Sequence, residues 1–483
     1  MDGPARPQWP LIVAFSALWG LALVTLASVE MRYGAALAAG LVVFTMPFLL
    51  SDSRRYFLTL ITLTLFVGSN KMFASVTNVW PYDLIERMTI NGTDVLLLGG
   101  CVVWLFSGIG AQRAPGLKGK HLFLPMLGLL AAVLLSFQNA TYPMHGVFEL
   151  FRMVKVFLLY VFLVYNIRRR EEIRLIVAIL GLNIMVQLAI TLLQKYGGSN
   201  LGLAYFGEAT ASMESMIGVE RVFRAGGTLG HPNHFAYCLD LLIPLFLSMS
   251  FSSSLSRRQR AFFTAALAAA LLCLYMTLSR GGLVGTGVAL AIAAPLILHR
   301  NMRLGRFSVR TGALVLVLLV AACAAAPLIY QRFSQSDAGA FRARIDQWQV
   351  ATNIISAHPW VGIGLNNYRN VAPSYDDTAS HIATVFTYPV HNVYLLAWAE
   401  TGVVGLMGLL VLMIAALRMA YFGRCPYGEQ HDLQFGLFFG FVAYLIHSNV
   451  DINPPGSYAF FYFLLAVLTA SQHLATPGPR STR

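Results

Sequence analysis

Long apolar runs recur along almost the whole chain, and most are long enough to cross a membrane. A hydrocarbon core of about 30 Å requires roughly 20 apolar residues in an α-helix. Hydrophobic residues make up 57% of the 483 residues and charged residues only 11%. The sequence therefore predicts an all-α polytopic integral membrane protein with about 12–14 transmembrane helices. The predicted spans lie at about 11–29, 34–50, 56–68, 94–109, 121–136, 146–165, 173–193, 234–251, 261–278, 282–298, 311–330, 391–417, 433–447 and 457–472.

Lysine and arginine are distributed unevenly between the two sides of the predicted membrane. Of the 34 basic residues, 21 lie in the N-terminal tail or in even-numbered connections and 11 in odd-numbered connections. By the positive-inside rule, the even side and both termini are predicted to be cytoplasmic. The long connections 195–233 and 331–390 then lie on the outer face, together with His391. Because topology explains most of the net charge of +13, nucleic acid is not a predicted partner.

A glycine-rich segment on the outer face has a pattern suited to an anionic ligand. In RAGGTLGHPNHFA at 224–236, glycines and a proline turn the chain into a new helix near Asn233. Arg224 would then stand beside the backbone N–H groups of a helix N-terminus, a combination that binds phosphate. The alternative is that the glycines only turn the chain and that Arg224 covers a surface.

Three further arginines are candidates on the same face. Arg280 lies in SRGG at 279–282 between two apolar helices with almost no loop, so it either snorkels at a helix end or points into a cavity. The pattern FRARIDQWQVA at 341–351 predicts an amphipathic helix. This helix would offer Arg342 and Arg344 to an anionic head group, or it would form a solvated basic face.

One predicted span contains charged residues at regular intervals. Glu149, Arg152 and Lys155 recur every three residues and share one face of the helix. Charged residues at this depth face the interior of a bundle and pair with one another. The pattern predicts either an internal salt-bridge ladder or a substrate cavity lined by Arg152 or Lys155.

The sequence has no pattern that indicates a metal or a cofactor. Asp376 and Asp377 form no D-x-D triplet, and the five cysteines have no metal-ligand spacing. The outer face also offers neither ATP nor sugar nucleotides. A catalyst there would need a donor activated beforehand, such as a glycan linked to a lipid pyrophosphate, whose charge arginines recognise.

Five motifs follow one another in the second half of the chain. They are RAGGTLGHPNHFA at 224–236, LSRGG at 278–282, R-x-x-x-W-x-x-A at 344–351, HPWVGIGLNNY at 358–368 and HNVYLLAWAETG at 391–402. Together and in this order they resemble the superfamily of O-antigen ligases and Wzy-type polymerases. The resemblance covers roughly residues 145–450 as a catalytic membrane core. Residues 1–144 would be N-terminal transmembrane helices, and 451–483 the last transmembrane helix and a cytoplasmic tail.

The resemblance implies a bacterial inner-membrane glycosyltransferase of the GT-C type, with a large periplasmic loop and a periplasmic active site. The implied donor is undecaprenyl-pyrophosphate-linked glycan, the acceptor is lipid A-core or a growing glycan, the surroundings are membrane lipids, and no metal or cofactor takes part. Ligases of this superfamily carry a His, ten residues and a Gly in the last large periplasmic loop, and His391 and Gly402 reproduce this spacing. A second ligase signature, Arg and Leu separated by three residues, is missing, because Arg224 and Leu229 are separated by four. Wzy-type polymerase and protein O-oligosaccharyltransferase therefore stay open as alternatives.

The chemistry expected on this basis is a single inverting displacement. Arg224, Arg280 and Arg344 would hold the pyrophosphate leaving group. His391 would be the general base that deprotonates the acceptor hydroxyl, and Asn392 would orient the imidazole or a sugar hydroxyl. Two non-enzymatic classes remain as alternatives. A flippase for lipid-linked glycans would form no covalent product, and a structural scaffold would not need the histidine.

Overall fold

The computed structural model describes residues 52–68, 70–75, 87–106, 120–209, 214–217, 220–303, 330, 334, 338–423, 428–452 and 455–475. Over these residues the chain is a bundle of α-helices with very little strand. The helices are α1 (Ser53–Thr64), α2 (Gly92–Phe106), α3 (Lys120–Ser136), α4 (Pro143–Asn166), α5 (Arg170–Gly197), α6 (Pro232–Ser250), α7 (Arg257–Thr277), α8 (Arg280–Arg303), α9 (Ala338–Ala357), α10 (Tyr368–Val371), α11 (Ile382–Val385), α12 (Val393–Tyr421), α13 (Glu429–His447) and α14 (Pro455–Ala475).

Among the described residues, five helical segments are long and apolar enough to cross a membrane. They are Leu122–Asn139, Arg170–Gly197, Arg257–Thr277, Arg280–Arg303 and Val393–Tyr421. The prediction of an all-α polytopic membrane protein is confirmed. The spans predicted at 11–29, 34–50 and 311–330 lie outside the described residues, so the count of 12–14 helices stays a prediction, as does the division into three domains.

Within the described part of the chain, two short antiparallel strand pairs interrupt the helical pattern and were not expected from the sequence. Strand β1 (Asn70–Ser75) pairs with β2 (Arg87–Asn91), and β3 (Glu214–Ile217) pairs with β4 (Glu220–Phe223). Backbone groups that are not in a helix need other hydrogen-bond partners, and strand pairing supplies them. Strands of four to six residues are too short to show a reliable alternation of apolar and polar side chains.

Helix α6 is the central helix of the bundle. Almost every side chain from Phe235 to Ser250 is buried, because α7, α8, α13 and α14 pack around it. The helix begins at Pro232, whose fixed φ suits the first helical position, and His231 caps it by accepting a hydrogen bond from the backbone N–H of Asn233. The N-terminal turn of α6 therefore holds its polar side chains in a rigid, buried frame.

Residues 338–390 form a lobe with a hydrophobic core of its own, which we call the outer lobe. Helices α9, α10 and α11 supply this core, and the buried side chains include Val350, Ile354, Tyr368, Ile382 and Val390. Ala399 of α12 belongs to the same core. The outer lobe is thus packed directly onto the start of α12.

The outer lobe packs against α12 at a break in the helix, which is formed by a glycine. Gly402 interrupts the helix with φ 66° and ψ −174°, a backbone conformation that is essentially restricted to glycine. A Cβ atom here would stand 2.1 Å from the carbonyl oxygen of Trp360. The backbone N–H of Val403 donates to the carbonyl oxygen of Pro359 at 2.9 Å. In the opposite direction, the backbone N–H of Ile363 donates to the carbonyl oxygen of Ala399 in α12. The motifs at 358–368 and 391–402 therefore dock on each other.

The outer lobe is also tied to the connection between α3 and α4. The side-chain amide of Asn139 donates to the carbonyl oxygen of Gly362 at 3.0 Å. The backbone N–H of Tyr142 donates to Oδ1 of Asn367 at 2.7 Å. The asparagines of the HPWVGIGLNNY motif thus fix the lobe at a second point, which leaves little freedom for the segment that leads to His391.

Candidate functional site

His391 lies just before α12, where the outer lobe meets the helical bundle. Its side chain is 19% exposed, and its Nε2 atom is 3.9 Å from Oδ1 of Asp451. Its Nδ1 atom is 3.2 Å from Oε1 of Gln347 in α9. An amide oxygen only accepts hydrogen bonds, so the neutral imidazole carries its proton on Nδ1 and a lone pair on Nε2. Burial lowers the pKa of His391, and Arg344 lowers it further, while Asp451 opposes both. A neutral base is therefore available near neutral pH.

Asp451, in the turn between α13 and α14, is the carboxylate on which the site converges. Its Oδ2 atom accepts a hydrogen bond from the side-chain amide of Asn233, and its backbone oxygen accepts one from Tyr237 at 3.2 Å. Its Oδ2 atom is also 3.8 Å from Nε2 of His447. Burial would raise the pKa of Asp451, but the nearby charges of His447 and His391 lower it. The carboxylate is held ionised.

Arg224 joins this site to two other parts of the bundle. Its Nη2 atom donates to Oδ1 of Asn233 at 2.5 Å, so the guanidinium stands at the N-terminal turn of α6. Its Nε atom donates to the carbonyl oxygen of Thr277 at 2.9 Å, at the end of α7. Strand β4 ends directly before Arg224. Arg224 thus connects α6 with the corner between α7 and α8, where Arg280 begins the next helix.

His231 is a second imidazole close to this cluster. Its Nδ1 atom accepts the capping hydrogen bond from the backbone N–H of Asn233 at 3.1 Å. Burial, together with the charges of Arg224 and His391, lowers the pKa of His231 to about 4, against the opposite effect of Asp451. The imidazole is therefore neutral at ordinary pH and acts as a helix cap.

Behind Asp451 the polar groups continue into the core of the bundle. Nδ1 of His447 is 2.6 Å from Oδ2 of Asp240 in α6, and both side chains are fully buried. Oδ1 of Asp240 accepts a hydrogen bond from Thr286 of α8 at 2.7 Å. The ring of Tyr237 stacks on the imidazole of His447 with centroids 3.9 Å apart. Carboxylates and imidazoles alternate from Asp240 through His447 and Asp451 to His391, and we call these four residues the charge chain.

The glycines of the SRGG motif leave space for the charge chain. A Cβ atom on Gly281 would stand 2.2 Å from Cδ2 of His447. A Cβ atom on Gly282 would stand 2.8 Å from Cβ of Ala236 in α6. Helix α8 can therefore approach the imidazole and the central helix only because these side chains are absent. The two glycines of this motif have a packing role at the site.

The remaining candidate arginines differ in their surroundings. Arg344 is partly buried, and its charge acts on His391. Arg342, two residues earlier in α9, is exposed. Arg280 is partly buried at the first position of α8. Their assignment as pyrophosphate ligands stays a prediction. The amphipathic pattern predicted for 341–351 does form a helix, but Trp348 is 39% exposed and does not face the lobe core.

Asn392 is the N-cap of α12. Its Oδ1 atom accepts from the backbone N–H groups of Tyr394 and Leu395 at 2.9 and 3.0 Å. Its Nδ2 atom donates to the carbonyl oxygen of Asn449, in the turn before Asp451, at 3.0 Å. The amide oxygen thus caps α12, and the amide nitrogen ties this helix to the turn that carries Asp451. These contacts fix the position of His391 relative to Asp451. Direct contact of Asn392 with substrate stays a prediction.

The charged face of α4 is paired within the protein. Arg152 is buried and forms a salt bridge with Glu149 one helical turn away. Nζ of Lys155 is 2.5 Å from Oδ2 of Asp94 in α2. These contacts match the salt-bridge ladder among the two alternatives. A role of Arg152 in substrate binding stays a prediction.

Four residues of this site were not singled out from the sequence: Asp240, Gln347, His447 and Asp451. Three of them lie in predicted spans or beyond the predicted end of the catalytic core at 450. The sequence nevertheless contains a signal for three of them. His447 and Asp451 are four residues apart at the end of an apolar run, and Asp240 is a carboxylate inside another apolar run. Ionisable residues at such positions indicate function or a buried partner.

Together, these features define a multi-pass α-helical membrane protein with a polar site at the point where the outer lobe meets the helix ends. Residues 265–410 match the family model described as O-antigen ligase. Over this segment the chain is thus similar to O-antigen ligases, in agreement with the resemblance seen in the motifs. The match supports a membrane function of the ligase or polymerase type. No curated protein matches the chain significantly.

Proposed function

We propose that this protein is an inverting, metal-independent glycosyltransferase of the O-antigen ligase type. It transfers a glycan from undecaprenyl pyrophosphate to an acceptor hydroxyl on lipid A-core. The observation that carries the proposal is the environment of His391. This imidazole lies within the segment that matches the O-antigen ligase family. Its Nδ1 atom lies 3.2 Å from Oε1 of Gln347 and its Nε2 atom lies 3.9 Å from Oδ1 of Asp451.

The first chemical step is removal of the acceptor proton. Nε2 of His391 takes the proton of the acceptor hydroxyl as the oxygen attacks the anomeric carbon. The imidazolium that forms is 3.9 Å from the Asp451 carboxylate, and opposite charges at this distance attract each other strongly in a partly buried site. Asp451 thus stabilises the charge that develops during the transfer.

The second requirement is stabilisation of the leaving group. As the bond between the anomeric carbon and the pyrophosphate oxygen breaks, negative charge grows on the pyrophosphate, and guanidinium groups stabilise it. Arg224 stands at the N-terminal turn of α6 and bonds the corner that leads to Arg280. Arg344 approaches His391 from α9. Arg344 acts on His391 directly, and Arg224 bonds Asn233, which itself bonds Asp451; this supports the assignment of these arginines to the pyrophosphate.

The location follows from the charge distribution of the sequence. The basic residues concentrate on the side opposite to the outer lobe, so we propose that the lobe and His391 face the periplasm and that both termini are cytoplasmic. The membrane would be the bacterial inner membrane, where lipid-linked glycans are presented. A donor with its own activated bond is then required, because no nucleotide is available on that face.

A Wzy-type polymerase is the second candidate, since the Arg224 to Leu229 spacing departs from the ligase signature. The two functions differ in their products. A ligase joins long glycan to lipid A-core, whereas a polymerase lengthens glycan on the lipid carrier. The experiment must therefore show both surface and carrier-linked glycan.

The test is a gene deletion complemented with the wild type or with His391→Ala, followed by gel analysis of surface and carrier-linked glycans. A ligase deletion leaves long glycan on the carrier and none on lipid A-core, and His391→Ala reproduces this at normal protein amount. If single repeat units still reach lipid A-core while long chains vanish, the protein is a polymerase.

A matched control is His381→Gln. This histidine belongs to the outer lobe, is exposed and precedes α11. The variant should complement the deletion as the wild type does. An equal loss in both variants would mean that the lobe tolerates no histidine replacement, and the assignment of His391 as the base would fall.

A further inference from the structure

We propose that the buried pair of Asp240 and His447 is a positioning device for the base. It keeps a positive charge beside Asp451, which offsets part of the negative charge that this carboxylate presents to His391. This inference rests on the proposed function, because it concerns the same base. It assigns a role to two residues that have no contact with His391 itself.

The first argument is the charge balance of the charge chain. Two carboxylates flank His447, with Oδ2 of Asp240 2.6 Å from Nδ1 and Oδ2 of Asp451 3.8 Å from Nε2. Asp240 and His447 are fully buried and Asp451 nearly so. An isolated buried carboxylate is strongly disfavoured. A doubly protonated imidazole between the two carboxylates supplies a hydrogen-bond donor to Asp240 and a nearby positive charge to Asp451, and so reduces this cost.

The second argument is the extent to which the surroundings are built for this imidazole. The ring of Tyr237 stacks on it, Gly281 leaves space for its edge, and Oγ of Ser279 is 3.5 Å from Nε2. A buried ion pair that served only packing could be replaced by apolar side chains without loss of stability. Groups from α6, from α8 and from the corner that precedes α8 instead converge on His447, which points to a requirement for its charge.

The third argument is the direction of the charge chain, which runs from the core of the bundle to the candidate site. Its inner end is Asp240, held by Thr286, and its outer end is His391 beside the exposed face of the outer lobe. The charged and titratable groups around His447 are Asp240 from α6, Asp451 from the following turn, and the tyrosines Tyr237 and Tyr444. Those around His391 are Asp451, Arg344 and His231. The positive charge of His447 offsets part of the negative charge that Asp451 presents to His391.

The proton balance of the transfer is unchanged by this device. The acceptor O–H bond breaks, its proton goes to Nε2 of His391, and the oxygen electron pair forms the new glycosidic bond. The bond to the pyrophosphate breaks with its electron pair on the leaving group, and His391 later releases its proton to water. His447 exchanges no proton in this cycle. It acts only through the charge and orientation of Asp451.

The test is the pH profile of glycan transfer by purified full-length protein with a lipid-linked glycan donor and lipid A-core acceptor. His447→Gln removes the positive charge beside Asp451, so His391 retains its proton more strongly. The acid limb of the profile should move to higher pH by about half a unit or more. A residue with a purely structural role would reduce the amount of folded protein and leave the limb in place.

A second variant guards against misfolding. His447→Gln leaves Asp240 without its partner, which can destabilise the bundle. The double variant Asp240→Asn/His447→Gln removes both charges together and leaves no isolated buried carboxylate. Its acid limb should also move upward, because the positive charge nearest to Asp451 is still missing. The control Tyr160→Phe removes a buried hydrogen bond to Thr469 and should not move the limb.

The outcomes separate this inference from the proposed function. If His391→Gln abolishes transfer but neither His447 variant moves the acid limb, the positioning role is wrong and the proposed function stands. If His391→Gln leaves transfer intact, the proposed base is wrong, and the inference falls with it. A shift in Tyr160→Phe equal to that in the His447 variants would also overturn the positioning role.

Discussion

Nε2 of His391 lies 3.9 Å from Oδ1 of Asp451, although the two residues flank different helices. Replacing Asp451 with Asn should reduce glycan transfer by roughly 10- to 100-fold, because the imidazolium loses its counter-charge. Asp451 raises the pKa of His391, so its removal should also shift the acid limb of activity to lower pH. Rates of purified protein across pH check both effects. A lower rate with an unmoved limb would contradict the direct interaction.

The wild-type pH profile is itself a prediction. Burial and the charge of Arg344 lower the pKa of His391 from its ordinary value of 6.5, and in the proposed mechanism the neutral imidazole is the active base. Activity should therefore persist below pH 6.5 and fall only as the pH passes the lowered pKa. Arg344→Gln should move this limb upward and raise KM for the donor. Arg257→Gln, an exposed residue at the start of α7, should do neither.

Helix α8 offers a matched pair of glycines. In Gly281→Ala the added Cβ would stand 2.2 Å from the His447 ring, so we expect a loss of about 1–3 kcal/mol in stability and a matching loss of transfer. In Gly287→Ala the Cβ meets no atom within 4 Å, and the change should stabilise the helix by about 0.5–1 kcal/mol. Thermal unfolding in detergent compares the two. Equal melting temperatures would argue against close packing on His447.

The break at Gly402 should be intolerant of any side chain. Gly402→Ala forces a φ of 66° on an L-residue and places Cβ against the carbonyl oxygen of Trp360. We expect a loss of several kcal/mol or no folded protein, because strain and overlap add. Gly128→Ala in α3, where a Cβ would meet nothing within 4 Å, is the control. Normal accumulation of Gly402→Ala would show that the lobe docks differently.

The salt bridge in α4 can separate the two roles considered for Arg152. Arg152→Gln leaves the partly buried carboxylate of Glu149 without this salt bridge, which should cost roughly 1–3 kcal/mol. Arg152→Gln/Glu149→Gln removes both charges and should recover most of this loss. If Arg152 is only structural, the double variant also recovers glycan transfer. A stable but inactive double variant would instead place Arg152 in the donor site.

Much of the fold was readable from the sequence because a bilayer restricts the chain to a few solutions. Apolar runs predicted most of the described helices, and His391 was placed correctly at the start of a long one. The two strand pairs were missed, since their strands are too short for a clear period. Asn392 shows a different difficulty, because a cap and a ligand-binding residue look alike before the contacts of the amide are known.

The site was only partly readable, for a physical reason. Arg224 and His391 stand out as polar residues in turns. Asp451 comes to His391 only because α13 and α14 pack against α6 and bring their connecting turn to the N-terminal turn of that helix. The function of Gly281 is also invisible in the sequence, because it depends on the position of an imidazole in a distant helix.

The central position of α6 has a consequence for engineering. The segment that matches the O-antigen ligase family, 265–410, contains the proposed base and three candidate arginines but not helix α6. Arg224 and Asn233 precede it, and Asp451 follows it. Grafting that segment onto a related bundle would therefore transfer the histidine without the carboxylate that faces it. Exchange of specificity between such proteins should succeed only when whole helical bundles are exchanged.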